Sequence, residues 1–148
     1  SKDTLPVRLK KIYDECLSCM EKYSPDEFAI ETAFYGKNIQ STLKLGQARG
    51  VAIIAALNSN LEISEYSPRE VKKSVTGNGA SSKEQVQYMV RSILSLREKV
   101  IAIDSSDALA VALCHYYCRQ NMIATGYSGS KNNTWKNFAE RNPGRIIR

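Results

Sequence analysis

No run of apolar residues in this chain approaches the ~20 needed to cross a bilayer. Its first residues, Ser1-Lys2-Asp3-Thr4-Leu5-Pro6, lack the charged-then-apolar layout of a signal segment. These absences set an expectation of no membrane contact and a cytoplasmic location. Strand-like sequence is also scarce, for only two segments read as strands, whereas stable sheets usually have about four to six. Nothing strand-like precedes the first helix. Two strands cannot support the five helices that the hydrophobic spacing marks, so the expectation is that sheet-forming sequence belongs upstream of Ser1. Histidine occurs once, at position 115.

What is present fits one domain. The 148 residues suffice to bury a real core, and 43% apolar with 24% charged is ordinary for a globular protein. The net charge of +6 suits a polyanionic partner. Between residues 131 and 148 there are five basic residues and one acid, in a stretch flanked by Gly, Ser, Asn and Pro. Residues 123–148 are therefore expected to form a poorly ordered basic tail able to contact phosphates, with a solubilising terminus as the competing reading. Residues 1–122 would form the folded domain.

Four cysteines fall in two pairs, Cys16 with Cys19 and Cys114 with Cys118. Structural zinc would require the pairs to meet in space. Each pair lies within an apolar-periodic helix, so core thiols in a reducing compartment are the favoured reading. His115 stands two helical turns beyond Asp107 and could approach the same face, or could simply be packed or at the surface.

Hydrophobic spacing sets the elements. Leu5, Leu9, Ile12, Cys16, Met20 and Tyr23 form a helical stripe that Ser24-Pro25-Asp26 stops. Residues 27–32 read as a short strand. A second helix runs from about Asn38 to Asn58, polar at first and apolar at every position from 51 to 57. A helix apolar all round must be covered on all sides. Packing on a sheet hides one side, so a second subunit is inferred to cover the other, with full burial inside the fold as the alternative. Residues 61–66 alternate like a strand, and Ser67-Pro68 then reads as N-cap and first helical position. Thr76-Gly77-Asn78-Gly79 is a glycine loop. Ser81-Ser82-Lys83-Glu84 resembles a capping box and starts a helix to about Leu96, and a last helix spans about residues 105–119. The order α-β-α-β-α-α-α is an α/β pattern.

Three acids stand out. Glu31 ends the apolar run Phe28-Ala29-Ile30, at the C-terminal end of a strand, where α/β sheets bind ligands. Asp104 and Asp107 lie at the entrance of the last helix, three apart, so both can project from one face. Hydrolysing a phosphodiester with two metals requires acids that hold both ions about 4 Å apart, and hard cations favour carboxylate oxygen. The set is one acid short of the usual four. An acid at the N-cap with another three residues on is also an ordinary helix start, and Glu31 alone could be a surface acid.

The stretch from Phe28 to Asp107 resembles the RuvC family of Holliday junction endonucleases. The residues behind the resemblance are Ala29-Ile30-Glu31-Thr32-Ala33-Phe34-Tyr35-Gly36-Lys37-Asn38, Leu43-Lys44-Leu45-Gly46-Gln47-Ala48-Arg49-Gly50-Val51-Ala52 and Glu65-Tyr66-Ser67-Pro68 with Val71-Lys72. Thr76-Gly77-Asn78-Gly79 with Ser82-Lys83-Glu84-Gln85-Val86 comes next, and then Asp104-Ser105-Ser106-Asp107-Ala108-Leu109-Ala110. Five linked motifs in unbroken order are far more specific than any one of them.

The resemblance implies an α/β, ribonuclease H-like (RuvC-type) fold with a mixed sheet flanked by helices, N-terminally truncated here. Members open with a strand bearing an Ile-Asp-Pro-Gly-type motif, and the aspartate of that strand has no counterpart in this chain, so the chain as written is expected to keep DNA-contacting elements and three of the four acids without catalytic competence. It further implies a homodimeric endonuclease that resolves four-way junctions in recombination and repair. Partnership with the RuvA–RuvB branch-migration complex is implied as well. Glu31, Asp104 and Asp107 would hold two Mg²⁺ ions per site, and Lys72 and Lys83 would neutralise charge at the scissile phosphate. Phe34, Tyr35, Lys37 and Asn38 would wedge into and stack on unpaired bases. Arg49, Arg69 and Lys73 would position backbone phosphates.

Each role has a plainer competitor: Phe34 as a core residue, the lysines as solvated helix-start residues. Two rival functions remain beside the nuclease. One is a non-catalytic junction-binding module. The other is a small zinc-stabilised basic DNA-binding domain.

Overall fold

The computed structural model describes residues 3–32, 38–96 and 102–125, with side chains described as far as residue 121. Its elements run α1 Leu5–Tyr23, β1 Glu27–Glu31, α2 Ile39–Asn58, β2 Glu62–Tyr66, α3 Pro68–Thr76, α4 Lys83–Ile93 and α5 Ile103–Thr125. That is the order expected from periodicity. The chain divides into two units, Ser1–Tyr117 and Cys118–Arg148. The sheet and the helices packed on it belong to the first; of the second, the described part is the end of α5.

Helix boundaries obey local chemistry. Pro6 sits in the first turn of α1, where its missing N–H costs nothing. Ser24 ends that helix in the left-handed region at φ 43°, its N–H donating to the Met20 carbonyl at 2.9 Å. Ser67 and Ser82 each cap a helix reciprocally. The serine hydroxyl accepts the backbone N–H of Glu70 or Gln85, and that residue's side chain accepts the serine N–H in return. Gly77, at φ 80°, closes α3 in a conformation L side chains resist.

β1 and β2 pair in parallel, with Glu27 opposite Glu62 and Glu31 opposite Tyr66. The expected mixed sheet is, among the described residues, this parallel pair. Side chains alternate across it. Phe28 and Ile63 point to one face, where with Leu61 they pack on Met20 of α1 and Ala55 and Ala56 of α2. The small alanines let α2 approach closely, and both are fully buried. Glu27, Ala29, Glu31, Ser64 and Tyr66 share the opposite face.

α5 lies over that second face. It buries Ser106, Ala110 and Cys114, spaced i, i+4, i+8 as one stripe, while His115 reaches Glu27 and Tyr66. The helix is longer than expected, beginning at Ile103 and running past Arg119. α3 and α4 pack as a pair, with Val71, Val75, Val86 and Val90 buried.

Two expectations need correction. The four cysteines are not uniformly core thiols, for Cys114 is buried, Cys16 and Cys118 are half-buried and Cys19 is exposed. Nor does α2 vanish inside the fold over residues 51–57, since Ile54 and Leu57 are each 52% exposed.

Candidate active site

Glu31 is placed by the sheet. It is the last residue of β1, and its neighbour Thr32 fixes it by donating both its N–H (2.8 Å) and its hydroxyl (3.3 Å) to the Tyr66 carbonyl. Arg49 supports it from α2. Its Nε donates to the Glu31 carbonyl at 3.3 Å, and its guanidinium pairs with Glu65 at 2.5 Å. Arg49 is thus engaged with the protein itself, beside the role of phosphate contact expected for it.

Asp107 comes from the second turn of α5 and meets Glu31 electrostatically. Crowding by the protein around its carboxyl, and next the charge of Asp107, push the Glu31 carboxyl above the usual carboxylate range. Lys83 and Lys72 pull it back down. Groups from three other elements therefore bear on the Glu31 carboxyl of β1: Lys72 from α3, Lys83 from α4 and Asp107 from α5. Lys83 Nζ stands 3.3 Å from Asp107 Oδ2. A lysine in the first position of a helix opposes the macrodipole, so local helix chemistry does not account for Lys83, whereas the two acids across from it do.

Asp104 is exposed. Because α5 begins at Ile103 and the Ser106 N–H donates to the Ala102 carbonyl, Asp104 lies inside the first turn rather than at the N-cap. The reading of these acids as an ordinary cap therefore fails for Asp104. Among the described residues, no group of three or more His, Cys, Asp and Glu side chains stands close enough together to hold a metal ion. The donor set present is the pair Glu31 and Asp107, two carboxylates held against mutual repulsion. A hard divalent cation would relieve that repulsion, so the pair fits one side of a cation site. Zinc has no comparable set, since the two cysteine pairs sit on separate helices, α1 and α5.

The remaining expected residues are dispersed. Arg69 and Lys73 are exposed on α3, and Gly79 lies so close to Arg69 that a Cβ there would meet the arginine Cγ at 2.6 Å. Asn38 caps α2, its Oδ1 accepting the Ser41 N–H at 3.2 Å. Phe34, Tyr35 and Lys37 lie outside the described residues, as does the expected basic tail from residue 126 on.

One cluster escaped the sequence reading. His115 bonds Glu27 through Nε2 at 2.5 Å and Tyr66 through Nδ1 at 2.8 Å. The partners lie 88 and 49 residues away, so spacing gave no sign of them.

Comparison with known proteins identifies the family. The family model "Crossover junction endodeoxyribonuclease RuvC" matches residues 1–115. The crossover junction endodeoxyribonuclease RuvC of Salinibacter ruber is 49% identical over 144 residues, covering 97% of this chain and 78% of that protein. The protein of the same name from Chloroherpeton thalassium is 48% identical, with the same coverages of 97% and 78%. Among solved structures, Thermus thermophilus RuvC in complex with Holliday junction substrate superposes with a TM-score of 0.74 at 31% identity. That match covers 81% of this chain and 73% of that one. The helix-rich α/β architecture is thus that of a ribonuclease H-like fold.

Proposed function

Because the chain belongs to the RuvC family of crossover junction endodeoxyribonucleases, we propose that it resolves four-way DNA junctions in recombination and repair by metal-assisted phosphodiester hydrolysis at Glu31 and Asp107. The observation that carries this reading is the convergence of Glu31, Asp107, Lys72 and Lys83 from four elements on one spot. Acids alone would repel DNA and lysines alone would only attract it. Together they suit a site where the acids would hold cations and the lysines would attract the scissile phosphate.

Magnesium, two ions per site, would lower the cost of deprotonating the attacking water and neutralise charge on the leaving oxygen. Glu31 and Asp107 would hold these ions, with Asp104, one turn earlier on α5, as the third carboxylate this chain supplies. Lys83, 68% exposed at its side chain, can exchange its bond to Asp107 for a phosphate oxygen at little cost, because exposed pairs are worth only about 0–1 kcal/mol. Lys72 adds positive charge from α3. Arg69 and Lys73, exposed on the same helix, would position backbone phosphates without reading sequence. Phe34, Tyr35, Lys37 and Asn38 would contact unpaired bases near the crossover.

The partners match the substrate. A four-way junction has two-fold symmetry, and two sites related by a two-fold would nick strands of like polarity as a pair. The α1–α2 face suits a homodimer. It carries an open apolar groove of about 670 Å³ lined by Leu9, Tyr13, Gly50, Val51 and Ile54. The branch-migration proteins RuvA and RuvB would deliver the junction. No helix among the described residues is long and apolar enough to cross a membrane, and action on DNA fits a cytoplasmic location.

The test is cleavage of a synthetic four-way junction with Mg²⁺, comparing the chain with Asp107→Asn. The expected result is paired nicks that fall by at least ~100-fold in the variant while junction binding in Ca²⁺ persists. Cleavage lost in Asp107→Asn would overturn the expectation that three acids are too few, and binding without metal-dependent nicking by the unaltered chain would overturn the nuclease reading in favour of a junction-binding module.

A further inference from the structure

Two acids on different elements meet only if α5 lies on the sheet at one depth and one register. The bond nearest the site does not enforce this. The Lys83–Asp107 pair is 68% and 41% exposed at its side chains, and water competes for both partners. A less exposed set of bonds lies two helical turns away. The His115 side chain is 14% exposed and that of Glu27 25%, and His115 bonds Glu27 and Tyr66 at 2.5 and 2.8 Å. One ring thereby ties α5 to both strands.

We infer that His115 is a positioning residue, whose imidazole, bonded to Glu27 at the start of β1 and to Tyr66 at the end of β2, seats α5 at the register that brings Asp107 to Glu31. The spacing agrees. From Asp107 to His115 is eight helical residues, a rise of ~12 Å, and from Glu31 back to Glu27 is four strand residues, ~13 Å. With α5 antiparallel to β1, a ring seated at Glu27 leaves Asp107 level with Glu31. Tyr66 extends the link, because its carbonyl takes both bonds from Thr32, the residue after Glu31. The chain of contacts from His115 therefore reaches both acids.

An ionised Glu27 carboxylate can only accept, so Nε2 carries a hydrogen, and Nδ1 meets the Tyr66 hydroxyl as acceptor in the neutral ring or as donor in the imidazolium. Either form satisfies both neighbours. His115 touches neither substrate nor reacting atoms, and acts by holding Asp107 in place.

The catalytic half of this inference rests on the proposed nuclease reading, while its geometric half does not. Ring ¹⁵N NMR of the whole chain reads the geometry without turnover. A ring that carries its hydrogen on Nε2 in the unaltered protein and in Tyr66→Phe, and relaxes to averaged tautomers in Glu27→Ala, is expected, and averaged tautomers in the unaltered protein or a hydrogen on Nδ1 alone would overturn the inference. Junction cleavage then reads the consequence. In His115→Ala the single-turnover rate is expected to fall ~10–100-fold, the scale of a misplacement of about 1 Å, with junction Kd in Ca²⁺ within about 2-fold. His115→Gln, which keeps a donor and an acceptor, should recover part of the rate, and Tyr66→Phe, which removes a single hydroxyl, should lose a smaller part. Combining His115→Ala with Asp107→Asn should cost no more than Asp107→Asn alone. An unchanged rate in His115→Ala, a parallel loss of rate and binding, or additive losses in the double variant would each overturn the assignment. Failure of the unaltered chain to nick junctions counts against the nuclease reading, and the ring spectrum then decides the geometry by itself.

Discussion

At the scale of single residues, Glu31 is the side chain whose energy most betrays its role. Evolution rarely leaves a carboxylate facing another acid unless something else needs the pair, and here the fold bears the repulsion. The consequence for stability has a definite sign. Below about pH 4 Glu31 is protonated folded and unfolded, and Glu31→Gln should change little. As pH rises, the unfolded chain ionises at the ordinary carboxylate value, whereas the folded chain must ionise against crowding and Asp107. The folded state then binds more protons, so it loses stability through the window between the ordinary and the raised value, and the loss stays constant above it. Glu31→Gln is therefore expected to raise Tm at pH 7 in EDTA and to leave it unaltered at pH 3.5. Calorimetry across that range checks it, and a Tm lowered at neutral pH would mean that Lys72 and Lys83 outweigh the acid.

The elements themselves were largely legible in the sequence, because their signals are local. The stripe from Leu5 to Tyr23, the serine cap at position 67 and Gly77 at the end of α3 are each read within one or two turns of chain and stand where expected, whereas the second capping box falls one residue on, Ser82 with Gln85 in place of Ser81 with Glu84. The start of α5 was less legible, since Ala102 offers no side-chain signal and the helix enters two residues before Ser105. The site divides the same way. Glu31 and Asp107 could be singled out through motif order, but the bonds that hold them, Arg49 on the Glu31 carbonyl and His115 between two strands, join residues far apart in the chain. No spacing rule reaches that distance. The caps bear directly on the site, for Ser82 starts α4 immediately before Lys83. Ser82→Ala removes one half of a capping box and should cost about 1 kcal/mol, and Gly77→Ala, which forces a Cβ into the left-handed region, about 1–2 kcal/mol. Each should lower Tm by a few degrees in a chain of this size. Urea denaturation checks both, and a neutral Gly77→Ala would show that the loop can give up its positive φ.

At the scale of the whole molecule, charge and apolar surface serve different ends. The excess of basic residues gives a net charge of +6, which draws in a polyanion and makes that attraction sensitive to salt. The apolar face is a separate matter, because exposed Ile54 and Leu57 stand on α2, the helix whose other side packs on Phe28 and Ile63. A helix buried on one side and apolar on the other gains by meeting a copy of itself, and a two-fold pair of sites is what a two-fold junction requires. Ile54→Glu places a charge at the centre of that face without touching Glu31, Asp107 or the lysines. Burying an unpaired carboxylate costs several kcal/mol, enough to move a dimer of micromolar affinity to monomer. Sedimentation should show a dimer for the unaltered chain and a monomer for Ile54→Glu. Any nicking by the monomer should fall on one strand at a time instead of in pairs, since Glu31, Asp107 and the lysines beside them come from one chain. A dimer that survives Ile54→Glu would move the interface off α2 and leave the groove between α1 and α2 to some other role.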